Sequence, residues 1–161
     1  MSYLQNVPAP IPTRGVCASG QDGAMDSDWQ ALTEAAENAA TRSYAPYSGL
    51  AVGAAARLED GRIVTGSNVE NASYGLSLCA ETSLVAALHA GGFARPLALV
   101  AVSGGGDLLM PCGRCRQLLH EAGGPDMSIL SPDGPLRIGD LLPHAFGPDD
   151  LPHPPSGGSD R

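Results

Sequence analysis

Long apolar runs, clusters of basic residues and aromatic side chains are all scarce in this chain of 161 residues. No stretch approaches the roughly 18 consecutive apolar residues that a membrane-spanning helix needs, so no membrane partner is expected. The first thirty residues lack a positive region followed by an apolar one, the pattern of a secretion signal. Formal net charge is −8 and Arg is nowhere clustered. Proteins that bind nucleic acid through its phosphates carry a basic patch, so no nucleic-acid partner is expected and small molecules suit better. These absences point to the cytoplasm, where thiols stay reduced. The four cysteines are then metal ligands, catalytic groups or buried apolar residues before they are disulfides.

What is present reads as one domain with flanking segments. Residues 1–25 scatter Pro and Gly without periodicity and read as a flexible extension, and Met25 is expected as an alternative natural start. The domain is expected over 26–147, and 148–161 as a flexible tail. DSDWQALTEAAENAATRSY is a helix pattern with Trp29, Leu32, Ala36 and Ala39 on one face and Asp26, Ser27 or Asp28 as its cap. LAVGAAARL and RIVTGSNV flank a turn at Asp60-Gly61 and form a hairpin. LCAETSLVAALHA is a helix closed by Gly91 and Gly92, LALVAVSGG a buried strand, and Cys112 to Glu121 a helix. MSILS and PLRIG are short strands about Pro132-Asp133-Gly134. There is no internal repeat. The order predicts an α/β sandwich with a mixed, mostly parallel sheet whose first two strands form an antiparallel hairpin.

The chemistry concentrates in two stretches. LCAET places Cys79 and Glu81 at a helix start, and MPCGRCRQLL places Cys112 and Cys115 three apart. Residues three apart share a helix face and can reach one ion. A third thiolate leaves the fourth corner of a tetrahedron open for water, as catalytic zinc sites do. Cys-x-Glu followed by Pro-Cys-x-x-Cys is the spacing of zinc deaminases. Water on zinc loses a proton near neutral pH to give hydroxide, and Glu81 is placed to move protons. Each piece has a plainer reading. Cys112 and Cys115 alone suit a redox pair, Cys17 could close a structural zinc site, and Glu81 could be an ordinary acid of a first helical turn. His89, His120, His144 and His153 show no ligand spacing and read as surface or tail residues.

From about Asp28 to Leu151, in the blocks YAPYSGLAVGAA, GSNVENASYGLSLCAE, PCGRCRQ and LLPHAFGPDDL, the chain resembles the small zinc-dependent cytidine deaminases of nucleoside salvage. The resemblance implies the three-layer α/β/α fold of that family. It implies one Zn2+ per subunit on Cys79, Cys112 and Cys115, Glu81 as proton shuttle, and a small nucleoside, cytidine or 2′-deoxycytidine, as substrate. Asn68 and Glu70 would hold the ribose, the backbone of Ala80 would touch the base, and Leu50 would line its pocket. It also implies a homotetramer whose substrate pockets borrow residues from neighbouring subunits, with Tyr74 and Phe146 at those borrowed substrate-binding positions. The zinc signature alone would also admit a blasticidin S deaminase, a polynucleotide editor or a zinc-stabilised binding module. Two positions depart from the family pattern. Thr82 stands where Arg usually offsets the thiolates, leaving Arg114 or Arg116 as candidates. Leu50 stands where Phe is common and forgoes stacking of about 1 kcal/mol.

Overall fold

The computed structural model describes residues 22–152. Most of the expected extension, with Cys17, and the end of the expected tail, with His153, lie outside the described residues. Helix α1 spans Asp22–Ala40, then come strands β1 (Val52–Leu58) and β2 (Ile63–Ser67), helix α2 (Ala80–Ala90), strand β3 (Pro96–Ser103), helix α3 (Gly113–Gly123), strands β4 (Ser128–Ser131) and β5 (Gly134–Arg137), and the single turn α4 (Ile138–Leu141). Helix α1 starts before the expected caps, because no proline interrupts its amides from Asp22 onward. Asp26 to Asp28 therefore lie within the helix. The turn α4 has no counterpart in the sequence reading; four residues are too few to show a helical period.

The strand order is β2-β1-β3-β4-β5, a mixed five-stranded sheet that opens with the expected antiparallel hairpin. The sheet is not mostly parallel in its pairing: only β3 and β4 pair in parallel, while β1·β2, β1·β3 and β4·β5 are antiparallel. The reason is positional. Strands β2, β3 and β4 are joined through helices and do run in one direction, but β1 lies between β2 and β3. A helical connection fixes strand direction, not adjacency.

The sheet's two faces follow from the period-2 alternation of its central strands. Ala55 of β1 and Ala98, Val100 and Val102 of β3 pack with Leu32 and Ala36 of α1. Their alternates Ala54, Ala56, Leu99 and Ala101 pack with Ala80 and Leu84 of α2 and Leu119 of α3. The three layers are thus α1, sheet, and α2 with α3. Small residues let the layers close tightly. At Gly66 of β2 a Cβ would run into Ala80 O and Leu84 N of α2 and lie 2.9 Å from Leu84 Cα, so β2 and the start of α2 meet backbone to backbone.

This topology prepares an active edge. Because β2 and β3 run in the same direction, their carboxyl ends reach one edge of the sheet, and the helices that follow, α2 and α3, begin there. Open α/β sheets characteristically bind ligands at that edge.

Candidate active site

Cys79 is the N-cap of α2 and Cys112 the N-cap of α3, with Cys115 in the first turn of α3. The three sulfurs lie within 4.8 Å of one another. Cys79 Sγ is 3.8 Å from Cys112 Sγ, which is 3.6 Å from Cys115 Sγ. A tetrahedral zinc with thiolates at about 2.3 Å needs sulfurs about 3.8 Å apart, so the donor set fits zinc. Among the described residues no further Cys, His, Asp or Glu joins the cluster. Cys79 and Cys112 line an adjoining cleft, whereas Cys115 is buried behind it, so the set is open toward the cleft. That is the form of a catalytic site rather than a structural one.

Glu81 is 5% exposed and faces both cleft and metal set. Its Oε2 is 3.4 Å from Cys115 Sγ. The electrostatics of the thiol cluster call for a cation. Burial raises the Cys115 pKa above the ordinary thiol value, and the negative charge of Glu81 adds to it. Burial likewise raises Cys79. At Cys112 burial pushes the same way, but the backbone N–H groups of Cys115 and Arg114 and the neighbouring thiols outweigh it, and the pKa falls. A dication reverses this balance and holds all three as thiolates.

Three thiolates on a dication leave one negative charge, and of the two candidate arginines only one addresses it. Arg114 Nη2 approaches Cys79 Sγ at 3.7 Å and donates to Ser77 O at 3.2 Å. Arg116 is turned away, donating from Nε to Pro111 O (2.9 Å) and from Nη1 to Leu141 O (3.0 Å). Thr82 Oγ1 lies 3.9 Å from Cys115 Sγ, so a hydroxyl faces the thiol where the family usually has a guanidinium.

The cleft, about 330 Å³, is lined by Leu50, Asn68, Glu70, Ala80 and Glu81 from the expected set, and also by Val52, Ser77, Leu78, Leu109 and Met110. Leu109 and Met110 had no catalytic signal in the sequence. They arrive because residues after β3 turn back along it, with Leu109 N donating to Ala101 O at 2.9 Å. The loop YAPYSG is bound to the end of β2: Tyr44 N donates to Asn68 O (3.1 Å) and Glu70 N to Tyr44 O (2.8 Å). Tyr47 N and Ser48 Oγ donate to the Glu70 carboxylate. The Ser48 hydroxyl first, then the Tyr47 amide, hold the Glu70 pKa below the ordinary carboxylate value.

Two expected site residues are not in this cleft. Tyr74, 77% exposed, lines a neighbouring hollow with Tyr47, Ser48, Glu70 and Ser77. Phe146 is also exposed, its backbone carbonyl accepting from Gln117 Nε2 at 2.7 Å. His89 and His144 are exposed, but His120 is half-buried in the last turn of α3, where the helix packs against the domain.

The model of the cytidine and deoxycytidylate deaminase zinc-binding region matches residues 26–131. The cytidine deaminase of Mycobacterium tuberculosis is 60% identical over 127 residues, 79% of this chain and 96% of that protein. Its crystal structure superposes with a TM-score of 0.73 at 59% identity, covering 74% of this chain and 98% of that one. Cytidine deaminase from Mycobacterium leprae superposes with a TM-score of 0.72 at 55% identity, over 73% and 98% of the two chains. With three thiols at zinc spacing, a buried Glu beside them and these relatives over nearly their whole length, the chain belongs to the zinc-dependent cytidine deaminase family.

Proposed function

We propose that this chain hydrolyses cytidine and 2′-deoxycytidine to uridine and 2′-deoxyuridine, releasing ammonia, as an enzyme of pyrimidine salvage. One observation carries the reading: Cys79, Cys112, Cys115 and Glu81 converge at the end of a cleft that also holds Asn68 and Glu70. One Zn2+ per chain, bound by the three cysteines, supplies a Lewis acid that makes water nucleophilic near neutral pH.

The chain's own residues do the rest. Glu81, buried and reaching into the cleft, takes the proton of the attacking water and delivers it to the ring nitrogen beside the reacting carbon. It then takes the remaining proton of the added hydroxyl and delivers it to the amine, so that a C=O bond forms as the C–N bond breaks and ammonia leaves. Leu50, Leu78, Leu109 and Met110 give the cleft apolar walls for a base, and the backbone of Ala80 lies where it can orient it. Asn68 and Glu70 provide polar groups for the sugar. Arg114 moderates the thiolate charge.

The exposure of Tyr74 and Phe146, with Leu76 at 66%, supports an assembly in which neighbouring copies cover them, and we read it as a homotetramer. A reducing compartment such as the cytoplasm suits three thiols that must stay free of disulfides. The direct test follows the ultraviolet absorbance of cytidine with purified protein, before and after removing metal with a chelator. Deamination that stops on chelation and returns with zinc is expected; chelator-insensitive turnover, or none with zinc present, would refute the reading.

A further inference from the structure

Two of the three ligand cysteines cap helices, and each follows a carbonyl that lies outside the hydrogen-bond ladder of its helix. Ahead of Cys79, Leu78 O accepts from Val69 N at 3.0 Å, a backbone bridge between distant segments. Ahead of Cys112 the carbonyl rests instead on a side chain. Cys112 O takes the first amide of α3, Arg116 N, at 2.9 Å, and Pro111 O accepts from Arg116 Nε at 2.9 Å. The same guanidinium donates from Nη1 to Leu141 O at 3.0 Å. Among the described residues no carboxylate pairs with Arg116. Guanidinium donors sit in a fixed planar fork, so these two bonds hold Pro111 and Leu141 in place relative to each other.

Pro111 has little other freedom. Its ring locks φ at about −65°, and the planar peptide makes its carbonyl and Cys112 Cα move as one body. Only ψ of Pro111 remains, and the bond from Arg116 sets it. Arg116 thereby decides where Cys112 leaves the chain and where its sulfur stands, 3.8 Å from Cys79 Sγ and 3.6 Å from Cys115 Sγ. The anchor at the other end is firm. Leu141 packs against the core, and its turn α4 is tied down by bonds from Ile138 N to Met127 O (2.8 Å) and from Gly139 N to Pro125 O (2.9 Å). We propose that Arg116 is a positioning residue of the metal set: by bridging Pro111 O and Leu141 O it locks the peptide before Cys112, and Cys112 is the thiolate released first when the bridge is cut. The inference rests on the three-cysteine zinc set described above.

Cys79 and Cys115 do not share this dependence. Cys115 is buried in the first turn of α3, and the peptide before Cys79 keeps its backbone bond. Gln117, next along α3, also reaches the C-terminal segment, donating to Phe146 O at 2.7 Å, but that bond does not involve Pro111. The two neighbours therefore separate a specific hold on Cys112 from a general tie between α3 and the C-terminal segment.

The experiment compares zinc-loaded parent, Arg116→Gln, Arg116→Lys and Gln117→Ala. It measures the rate at which a chromophoric chelator takes up zinc, well below Tm, and the alkylation of each cysteine in the loaded proteins, mapped by mass. Partners that orient a metal ligand are worth about 10- to 100-fold in metal affinity. Arg116→Gln is expected to release zinc ~10-fold faster or more, and to raise alkylation of Cys112 relative to Cys79 and Cys115. Arg116→Lys, whose compact ammonium can serve only one of the two carbonyls, is expected to fall between the parent and Arg116→Gln, and it carries the test should the glutamine variant fail to fold. Gln117→Ala is expected to release zinc within about twofold of the parent, since its bond leaves Pro111 untouched. Parental release in either Arg116 variant would overturn the inference. So would a rise in labelling shared equally by the three cysteines, the mark of a purely structural role, or release from Gln117→Ala as fast as from Arg116→Gln. A parent that takes up no zinc would overturn the metal set beneath it. None of these readouts uses turnover, so a zinc-loaded parent inactive on cytidine sinks the proposed reaction while zinc release and labelling still decide the role of Arg116.

Discussion

Replacing Gly66 by Ala should disarm the metal site from the opposite side of a helix, without touching a ligand. The added Cβ would press on Ala80 O and Leu84 N and sit 2.9 Å from Leu84 Cα, where ordinary contact begins at 3.4 Å. All three atoms are backbone, so no side chain can swing aside and α2 itself must lift. The required shift, upwards of ~0.5 Å, exceeds the ~0.2 Å within which metal–ligand distances hold. Helix α2 carries Glu81 and is capped by Cys79, whereas Cys112 and Cys115 belong to α3, so the donor set is pulled apart. Overpacking of this kind costs about 2 kcal/mol, or ~4–8 °C in Tm for a chain of this size. A misplacement approaching 1 Å at a catalytic centre costs on the order of 100-fold in rate. The assay is zinc content per folded chain together with kcat/KM on cytidine and a thermal melt. Gly53→Ala is the control. Its Cβ would strike the backbone of Ala36 and Ala40 in α1, on the opposite face of the sheet, so it should lower Tm while folded protein keeps its zinc. A Gly66→Ala protein with parental zinc content and kcat/KM would refute the reasoning, as would equal zinc loss in Gly53→Ala.

Glu81→Gln should keep its zinc and lose between about 10²- and 10⁴-fold in kcat, measured by cytidine absorbance alongside metal analysis; near-parental turnover would exclude Glu81 as the proton carrier. Arg114→Gln should release zinc to a competing chelator several-fold faster. Thr82→Arg in that background should slow the release again, because position 82 faces Cys115; identical release rates in all three proteins would show that the guanidinium does not offset the thiolates. The pH dependence of KM should follow Glu70. Its folded-state pKa lies below the ordinary carboxylate value of 4.5. The ionised contact is therefore fully present above that value and is lost only as pH falls through the lowered one. KM for cytidine should stay flat from neutrality down to about pH 4.5 and rise only in stronger acid, and a rise already at pH 6 would contradict the assignment.

Much of this protein was legible in one dimension. The alternation of β1 and β3 and the apolar face of α1 are short-range patterns, and the structure keeps them: Leu32, Ala36 and Ala39 are buried, and the Asp60-Gly61 turn joins an antiparallel hairpin. The Cys112–Cys115 spacing is likewise local, since one helical turn brings both sulfurs to one side. That Cys79 and Glu81 belong with them came from the motif, and the spatial reason is that β2 and β3 share a direction, so their following helices begin at one edge.

Other features depend on distances through space that no local pattern encodes. Strand direction followed from the helical connections, but the placement of β1 between β2 and β3 did not, because adjacency is edge-to-edge pairing between segments far apart in the chain. Arg114 and Arg116 are equivalent in sequence, and only the fold turns one to a thiol and the other to backbone carbonyls. Asn68 and Glu70 could be proposed as sugar-binding residues from their motif, and both line the cleft. How many hydrogen bonds they have left could not, because Ser43 and Ser48 reach them across gaps of 25 and 22 residues. The sequence by itself determined the three-cysteine set, the acid at Glu81 beside it and the helices and strands that hold them, all being matters of residue type and near spacing. The tertiary structure decided strand order, the charge partner of the thiolates and the polar positions left for substrate, because each depends on which atoms, distant along the chain, are brought within bonding reach.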